Sequence, residues 1–243
     1  MDDPQRLSEV FVELADTLVA DFDVVDFMTV LSLRCVEVLG ASEAGVLLAD
    51  ADARLRSVAS SHESARLLDL FELQADEGPC VTCFRSGAAV VNHRLDDGEQ
   101  PWPKFSGRAR ELGFEVVHAL PMRLRGEVVG AVNVFTAGPH HLGAADVAVG
   151  QALADVATIG LLHQRTLREA TRLSEQLQRA LTSRVVLEQA KGMLAEQLGV
   201  DMDQAFAALR QHSQATNQKL VAVAEQLLAR DLDAEELRSP RKG

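Results

Sequence analysis

The feature that most constrains this chain is a proline-free stretch from His141 to about Leu198, in which glycine occurs only as isolated residues. Proline breaks a helix interior, so its absence predicts one long or nearly continuous helix. The 243 residues of the whole chain allow one large domain or two small ones. We therefore look for different folded units before and after this helix.

The segment before the long helix mixes helical and strand-like patterns. Apolar residues at helical spacing run to Gly40, with an interruption expected at Asp21 to Asp23, and a short amphipathic stretch follows at 65–71. Arg125-Gly126-Glu127 is typical of a hairpin turn. Short connections between the strands favour an antiparallel sheet with helices on its faces, an α+β fold. Strands are predicted at Gly45–Ala49, Leu55–Ser60, Ala89–Val91, Val116–Leu124 and Val128–Phe135.

The segment after about residue 182 has three short apolar stripes at helical spacing, which predict a three-helix bundle. The first helix should end at Gly199, and the second should begin after Asp201, with Gln204 completing a capping box. The third follows Asn217, and residues 233–243 are expected to be a flexible tail. The predicted core residues are Leu187, Ala190, Leu194, Leu198, Met202, Ala205, Phe206, Leu209, Leu220, Val223, Ala224, Leu227 and Leu228.

A weak coiled-coil pattern lies between the two parts. Apolar residues keep a three-four spacing that Arg184 breaks, namely Ala170, Leu173, Leu177, Ala180 and Leu187. Two interpretations remain open. The helix pairs with a second copy of the chain and makes a homodimer, or it packs against its own domain.

Charge and cysteine content limit the class of protein. The net charge of −12 comes from residues 1–162, which carry 12 basic and 25 acidic side chains, whereas residues 182–243 carry 8 and 9. The C-terminal part is thus compatible with a nucleic-acid partner. An acidic N-terminus and the lack of about 18 uninterrupted apolar residues predict a cytoplasmic protein. Three cysteines without an export signal do not support a disulfide framework.

The C-terminal motifs resemble the ANTAR domain over about residues 178–232. The resemblance rests on Ser183 to Leu194 (SRVVLEQAKGML), on Ala205-Phe206 followed by Leu209-Arg210, and on Asn217-x-Lys219-Leu220 followed by Val223-Ala224. It implies an RNA-binding three-helix module that promotes transcription antitermination by holding paired hairpins of a nascent transcript.

The upstream motifs look like a GAF domain of the kind joined to ANTAR modules in actinobacteria. They are Asp76 to Cys80 (DEGPC), Pro101-Trp102-Pro103, Gly113-Phe114, His118 to Pro121 (HALP) and Gly126 to Asn133 (GEVVGAVN). The resemblance implies a sensor of a small-molecule ligand or a redox signal, and it names no ligand. The expected division is a sensor domain at 10–165, a helical linker at 166–181, the RNA-binding domain at 182–232 and the tail.

The RNA-binding candidates that this resemblance implies are basic or conformationally special residues: Arg184, Lys191, Gly192, Arg210, Asn217 and Lys219. From periodicity alone, Arg184, Glu188 and Lys191 would form a solvated helix face with an ion pair. Gly192 costs about 1 kcal/mol relative to alanine, so we expect a close approach by RNA or by a neighbouring helix. Phe206 is expected in the core, which leaves arginine planes for base stacking.

The sensor candidates are two cysteines and four pocket residues. Cys80 and Cys83 lie near a predicted helix start, where a thiol pKa can be lowered, so a reversible disulfide, half of a metal site and simple packing are the alternatives. His118, Leu120 and Met122 share a strand face and, with Trp102, either line a ligand pocket or belong to the core. No cofactor or metal is predicted.

No catalytic signature is found in the sequence, so we expect no enzyme activity. Two rival interpretations remain. One is a redox enzyme similar to the GAF-type free methionine sulfoxide reductases, with Cys80 or Cys83 as nucleophile. The other is a signalling sensor whose bundle binds another protein.

Overall fold

The computed structural model describes residues 4–17, 22–96, 101–138 and 141–238. The chain divides into two compact units, Met1–Thr166 and Leu167–Gly243. Each unit is described by itself below.

The first unit contains a five-stranded antiparallel sheet with strand order β2-β1-β5-β4-β3. This confirms the predicted fold class. Arg125 and Gly126 form the turn between the last two strands, and both have positive φ (50° and 91°), as a two-residue hairpin turn requires. The strands are β1 (Glu43–Ala49), β2 (Leu55–Ser60), β3 (Val90–Arg94), β4 (Val116–Leu124) and β5 (Glu127–Thr136).

The helices of this unit occupy both sides of the sheet. Asp23 interrupts the N-terminal helical region as predicted, because its carboxylate accepts hydrogen bonds from the amides of Val25 and Asp26 and so caps α2. The predicted helical residue Leu18 and the predicted breaker Asp21 lie outside the described residues. The helices are α1 (Pro4–Thr17), α2 (Val24–Leu39), α3 (Glu63–Ala75), α4 (Pro79–Ser86), α5 (Pro103–Glu111) and α6 (Ala144–Leu198).

Two hydrophobic layers form on opposite faces of the sheet. On one face, α2 and the first part of α6 pack on strand residues such as Val46 and Val132. On the other face, α4 covers Leu47, Ala119 and Ala131, and α3 and α5 pack against Val117 and Phe135. Three of the sensor candidates lie on this second face, namely Cys80, Cys83 and Trp102.

Within the described residues, α6 is the one helix long and apolar enough to pass a composition test for a membrane span. Its most apolar window has a mean hydropathy of 1.4, and 39% of that window is buried. A core helix of a soluble protein passes the same test. Leu153, Ala157 and Leu161 of α6 are indeed buried in the core of the first unit.

The second unit combines the last part of α6 with α7 (Met202–Thr216), α8 (Leu220–Ala229) and α9 (Ala234–Arg238). Gly199 ends α6 with φ of 65°, and Asp201 and Gln204 form the predicted capping box. The core has the predicted composition from the first three helices, with Ala190, Leu194, Ala205, Leu209, Val223, Ala224 and Leu227 all buried.

Two predictions about this unit were wrong. Residues 234–238, expected to be flexible, form α9, because Ala234 and Leu237 pack into the core of the bundle; residues 239–243 lie outside the described residues. Met202 and Phe206, expected in the core, are exposed. The buried side of α7 is set by Ala205 and Leu209, four residues apart, and Phe206 lies 100° away from Ala205 around the helix.

Candidate functional site

An aromatic ring and a lysine meet on the surface of the bundle. Phe206 of α7 is 37% exposed, and the Nζ of Lys191 on α6 lies 5.7 Å from the centre of its ring. Lys191 also pairs with Glu188 at 2.9 Å, and its side chain is only 18% exposed. Lys191 is therefore not the fully solvated cation that the sequence suggested. It is held against an exposed aromatic ring.

The other α6 candidates lie on exposed helix surface. Arg184 is exposed and has no hydrogen-bond or ion-pair partner among the described residues. A Cβ added at Gly192 would meet nothing within 4 Å. No other helix among the described residues approaches Gly192, so close approach by RNA remains the predicted reason for this glycine.

The remaining RNA-binding candidates lie on α7 and at its junction with α8. Arg210 is exposed one helical turn beyond Phe206 and has no partner among the described residues. Asn217 precedes the third helix as predicted, and it also caps the C-terminus of α7 in the left-handed conformation, with φ of 53°. Lys219 precedes α8 and lines a groove of about 920 Å³ between that helix and α6, together with Arg179 and Ser183.

Cys80 and Cys83 lie near the start of a helix, as predicted, and of the three alternatives their surroundings favour packing. Both lie in α4 and are completely buried against Leu47, Ala119 and Ala131 of the sheet. Burial raises the pKa of Cys83 to about 12, and burial together with nearby carboxyl groups raises the pKa of Cys80 well above its usual value. The start of α4 therefore does not activate a thiolate, and packing under the sheet accounts for both residues.

A cluster of buried polar side chains lies beside these cysteines. The Nδ2 of Asn133 on β5 donates to Asp69 Oδ1 and to Glu72 Oε2, both on α3 and both at 2.9 Å. Glu72 Oε1 accepts from the amide of Val81, also at 2.9 Å, so it caps α4, whose own N-cap residue Gly78 has no side chain to do so. All three polar side chains are completely buried.

Burial controls the ionisation of this cluster. It raises the pKa of Glu72 to about 7, against the lowering effect of the hydrogen bonds from Val81 and Asn133. The pKa of Asp69 is raised further above its usual range, first by burial and then by the neighbouring charge of Glu72. Asp69 and Glu72 therefore stay protonated at pH values at which exposed carboxyl groups have lost their protons.

Two glycines make room for these carboxyl groups. A Cβ at Gly45 of β1 would lie 2.0 Å from Asp69 Oδ2, and a Cβ at Gly78 would lie 2.4 Å from Glu72 Oε1. Any larger residue would displace the acid at either position. These residues fit together as one packed site. We call it the buried acid cluster, and its members are Gly45, Asp69, Glu72, Gly78 and Asn133.

The remaining sensor candidates do not form one pocket. Met122 is buried on the α2 side of the sheet, whereas Trp102 packs with Phe105 on the opposite face. His118 is completely buried and accepts the amide of Asn92 at 2.9 Å through Nδ1, at a bulge where Asn92 has φ of 55°. His118, Met122 and Trp102 are all buried, which favours core positions, one of the two alternatives that the sequence left open.

Among the described residues, no group of three or more His, Cys, Asp or Glu side chains could hold a metal ion.

The buried acid cluster was missed by sequence reasoning. The signal that was available is the spacing of Ala65, Leu68, Asp69 and Glu72, which places both acids on the buried face of α3.

Comparison with known families accounts for both units. The GAF domain family matches residues 23–161, more than half of the chain. The chain belongs to the GAF domain family. The ANTAR domain family matches residues 175–228, which include α7 and the exposed Phe206. The chain thus combines a GAF domain with an ANTAR domain, the architecture of a regulatory sensor.

Solved structures similar to this chain share the fold of its GAF domain. The GAF domain of an Acinetobacter phosphoenolpyruvate-protein phosphotransferase has 12% identity and a TM-score of 0.52 over 70% of this chain and 99% of that chain. A GAF domain/HD domain protein from Geobacter sulfurreducens has 21% identity and a TM-score of 0.51 over 61% and 98%.

Free methionine-R-sulfoxide reductase from Neisseria meningitidis, solved with its substrate, has 16% identity and a TM-score of 0.50 over 66% of this chain and 89% of that chain. At these identities the likeness shows the fold alone. A comparison with curated proteins gives no match.

Proposed function

We propose that this protein is a cytoplasmic RNA-binding regulator of transcription antitermination, in which the GAF domain senses a signal and the ANTAR domain binds paired hairpins of a nascent transcript. The division into a sensor at 10–165, a linker at 166–181 and an RNA-binding domain at 182–232 follows the motifs in the sequence. The observation that carries the proposal is the exposed contact between Phe206 and Lys191 within the ANTAR domain.

An exposed aromatic ring beside a cation suits the recognition of an RNA loop. Unpaired bases stack on aromatic side chains, and such stacking contributes about 1–3 kcal/mol per base. Burying Phe206 in the bundle would have removed this possibility. Its exposure supplies the aromatic platform that the sequence alone did not predict.

Further exposed cations lie on α6, on α7 and at the start of α8. Arg184 lies two turns before Lys191 on the same face of α6, and Arg210 lies one turn beyond Phe206 on α7. Lys219 and Arg179 line the groove at the start of α8. We assign the phosphate contacts to these residues, since phosphate contacts position a nucleic acid while base contacts provide selectivity.

The linker part of α6 supports a homodimer. Every residue from 167 to 182 is exposed, and Leu173, Leu177 and Leu181 are each more than half exposed. A solvated helix needs tertiary packing of its apolar stripe for most of its stability. A second copy of the same stripe would supply that packing, and two tethered ANTAR domains would then bind two hairpins as one intramolecular event.

The enzyme alternative loses support because of the state of its proposed nucleophiles. A cysteine nucleophile reacts as the thiolate, and both Cys80 and Cys83 are buried with raised pKa values. We therefore propose a regulatory role without catalysis.

RNA binding by the full chain tests this proposal. Wild-type protein should bind a two-hairpin RNA, and Phe206→Ala should weaken binding by about ten- to one-hundred-fold, the equivalent of one lost base stack. Lys191→Ala should weaken binding as well, with unchanged helix content, because alanine is at least as good a helix former as lysine.

Matched variants separate the platform from general effects. Phe206→Tyr retains an aromatic ring and should retain affinity. Arg230→Gln removes an exposed cation at the far end of α8 and should change affinity little. Equal affinity for wild type and Phe206→Ala would remove this surface from the binding site.

A further inference from the structure

The buried acid cluster is not used by the proposed RNA contacts, yet it is the most heavily constrained polar site in the GAF domain. Three completely buried polar side chains from α3 and β5 meet, and one of them also caps α4. Burial of an unpaired charge is strongly unfavourable, so this arrangement needs a compensating partner.

The cluster contains unused hydrogen-bonding atoms that point to that partner. Asp69 Oδ2 and Asn133 Oδ1 are buried without a hydrogen-bond partner. Both atoms are acceptors when the carboxyl is ionised, so the site holds an excess of acceptors and too few donors. A proton on a carboxyl group turns that group into a donor.

The distances within the cluster show where a proton on a carboxyl group would form a hydrogen bond and reduce repulsion. Asp69 and Glu72 each lie 2.9 Å from the same nitrogen of Asn133. That places them within the roughly 6 Å at which like charges disfavour each other's ionisation. If the amide of Asn133 turns by 180°, Oδ1 takes the position of Nδ2 and can accept hydrogen bonds from protonated carboxyl groups.

No cation replaces the proton in this site. Among the described residues, no lysine, arginine or histidine pairs with Asp69 or Glu72. The other titratable groups that face the site are the thiols of Cys80 and Cys83 on α4. Arg123 on β4 influences Cys83 and donates to the carbonyl of Gly87. β1 contributes only the backbone at Gly45.

We propose that the buried acid cluster is a proton-binding site and that its proton occupancy sets how firmly α4 is docked on the sheet. When Glu72 loses its proton, a negative charge without a cation remains in an apolar interior, and movement of α4 with entry of water would relieve it. A role of the proton as a signal that changes RNA binding rests on the proposed function. Binding of the proton to the cluster does not.

The chain carries its own reporter of α4. Trp102 is the only tryptophan, and its Nε1 donates to Thr82 Oγ1 of α4 at 2.8 Å. His93 stacks edge-on against the indole at 4.8 Å, so His93→Gln should be the background for every measurement to exclude quenching by that ring.

The test is a pH titration of the full chain from pH 5 to 9, followed by Trp102 emission and by hydrogen exchange of the α4 amides. We expect one transition near pH 7, with faster exchange at Val81 on the alkaline side. Glu72→Gln should abolish or displace that transition. Glu63→Gln, which removes an exposed acid of the same helix, should leave it unchanged.

A second measurement needs no variant of the cluster. Difference infrared spectroscopy of the wild type should show the carbonyl band of a neutral carboxylic acid that disappears through the same transition. Absence of both the band and the emission change would overturn the proposal, as would a transition that survives Glu72→Gln and Asp69→Asn together.

RNA binding measured over the same pH range separates the two proposals. An affinity that changes near pH 7, and no longer does so in Glu72→Gln, identifies the proton as a signal for the output. A constant affinity would overturn that signalling role, while the titration still decides the proton site. A chain that binds no RNA at any pH would contradict the proposed function and not the proton site.

Discussion

Replacing Glu72 by glutamine should change the pH dependence of GAF-domain stability in a direction fixed by the structure. The pKa of Glu72 is raised to about 7 from 4.5 by burial. Folding therefore retains a proton that the unfolded chain loses. The resulting contribution to stability is complete below pH 4.5 and is lost as the pH rises through 7.

The size of the effect follows from the difference between the two pKa values. Each pKa unit corresponds to about 1.4 kcal/mol. The titration of Glu72 should therefore lower the free energy of unfolding of the wild type by about 3 kcal/mol between pH 4.5 and pH 8. Glutamine has no such titration. From pH 4.5 to pH 8, the free energy of unfolding of Glu72→Gln should therefore increase by about 3 kcal/mol relative to that of the wild type.

Urea unfolding followed by Trp102 emission measures this quantity, because Trp102 lies in the core of the GAF domain. Carboxyls in ion pairs, such as Glu37, whose pKa is lowered by Arg6 and Arg34, contribute with the opposite sign. These contributions cancel in the comparison between variant and wild type. A difference that is the same at pH 4.5 and pH 8 would refute the assignment of a raised pKa to Glu72.

Further predictions concern the RNA surface, the linker, the thiols and the glycines. Phe206→Ala should lower affinity for a two-hairpin RNA by about 1–3 kcal/mol in filter-binding titrations. Leu173→Asp with Leu177→Asp should yield a monomer in sedimentation and weaken two-hairpin RNA far more than a single hairpin; a mutant that stays dimeric places the interface elsewhere. Cys80 should react slowly with a thiol reagent in the native protein and fast in urea, as followed by mass spectrometry. Gly45→Ala should lower the thermal unfolding midpoint, since its Cβ would collide with Asp69.

The regular parts of the fold could be predicted from sequence because local pattern and tertiary packing agree there. The apolar runs of β4 and β5, with Gly126 in the turn between them, predict the hairpin, and Asp201 with Gln204 predicts the start of α7. In each case one short stretch of sequence contains all the information that is needed.

The side chains that the sequence misplaced depend on contacts between distant elements. Helical spacing allowed Phe206 to continue the core stripe of α7, but Ala205 and Leu209 already fill the space that faces α6 and α8. Residues 234–238 are too short to show a helical pattern. They are ordered as α9 because Ala234 and Leu237 complete the bundle core.

The buried acid cluster shows the same limit more clearly. Charged residues on an amphipathic helix normally face solvent, so Asp69 and Glu72 were not candidates. Their burial depends on Gly45, Gly78 and Asn133, which come from three other parts of the chain. The motif residues Gly78 and Asn133 were noted in the sequence, and only the fold reveals that they serve the two acids.

Binding of hairpin RNA by the ANTAR domain in the cell can be measured by crosslinking the protein to RNA and sequencing the bound fragments. We expect enrichment of transcripts that contain two neighbouring hairpins next to a terminator, with loss of that enrichment in the Phe206→Ala variant. Absence of RNA enrichment for the wild type, or fragments without paired hairpins, would contradict the proposed function.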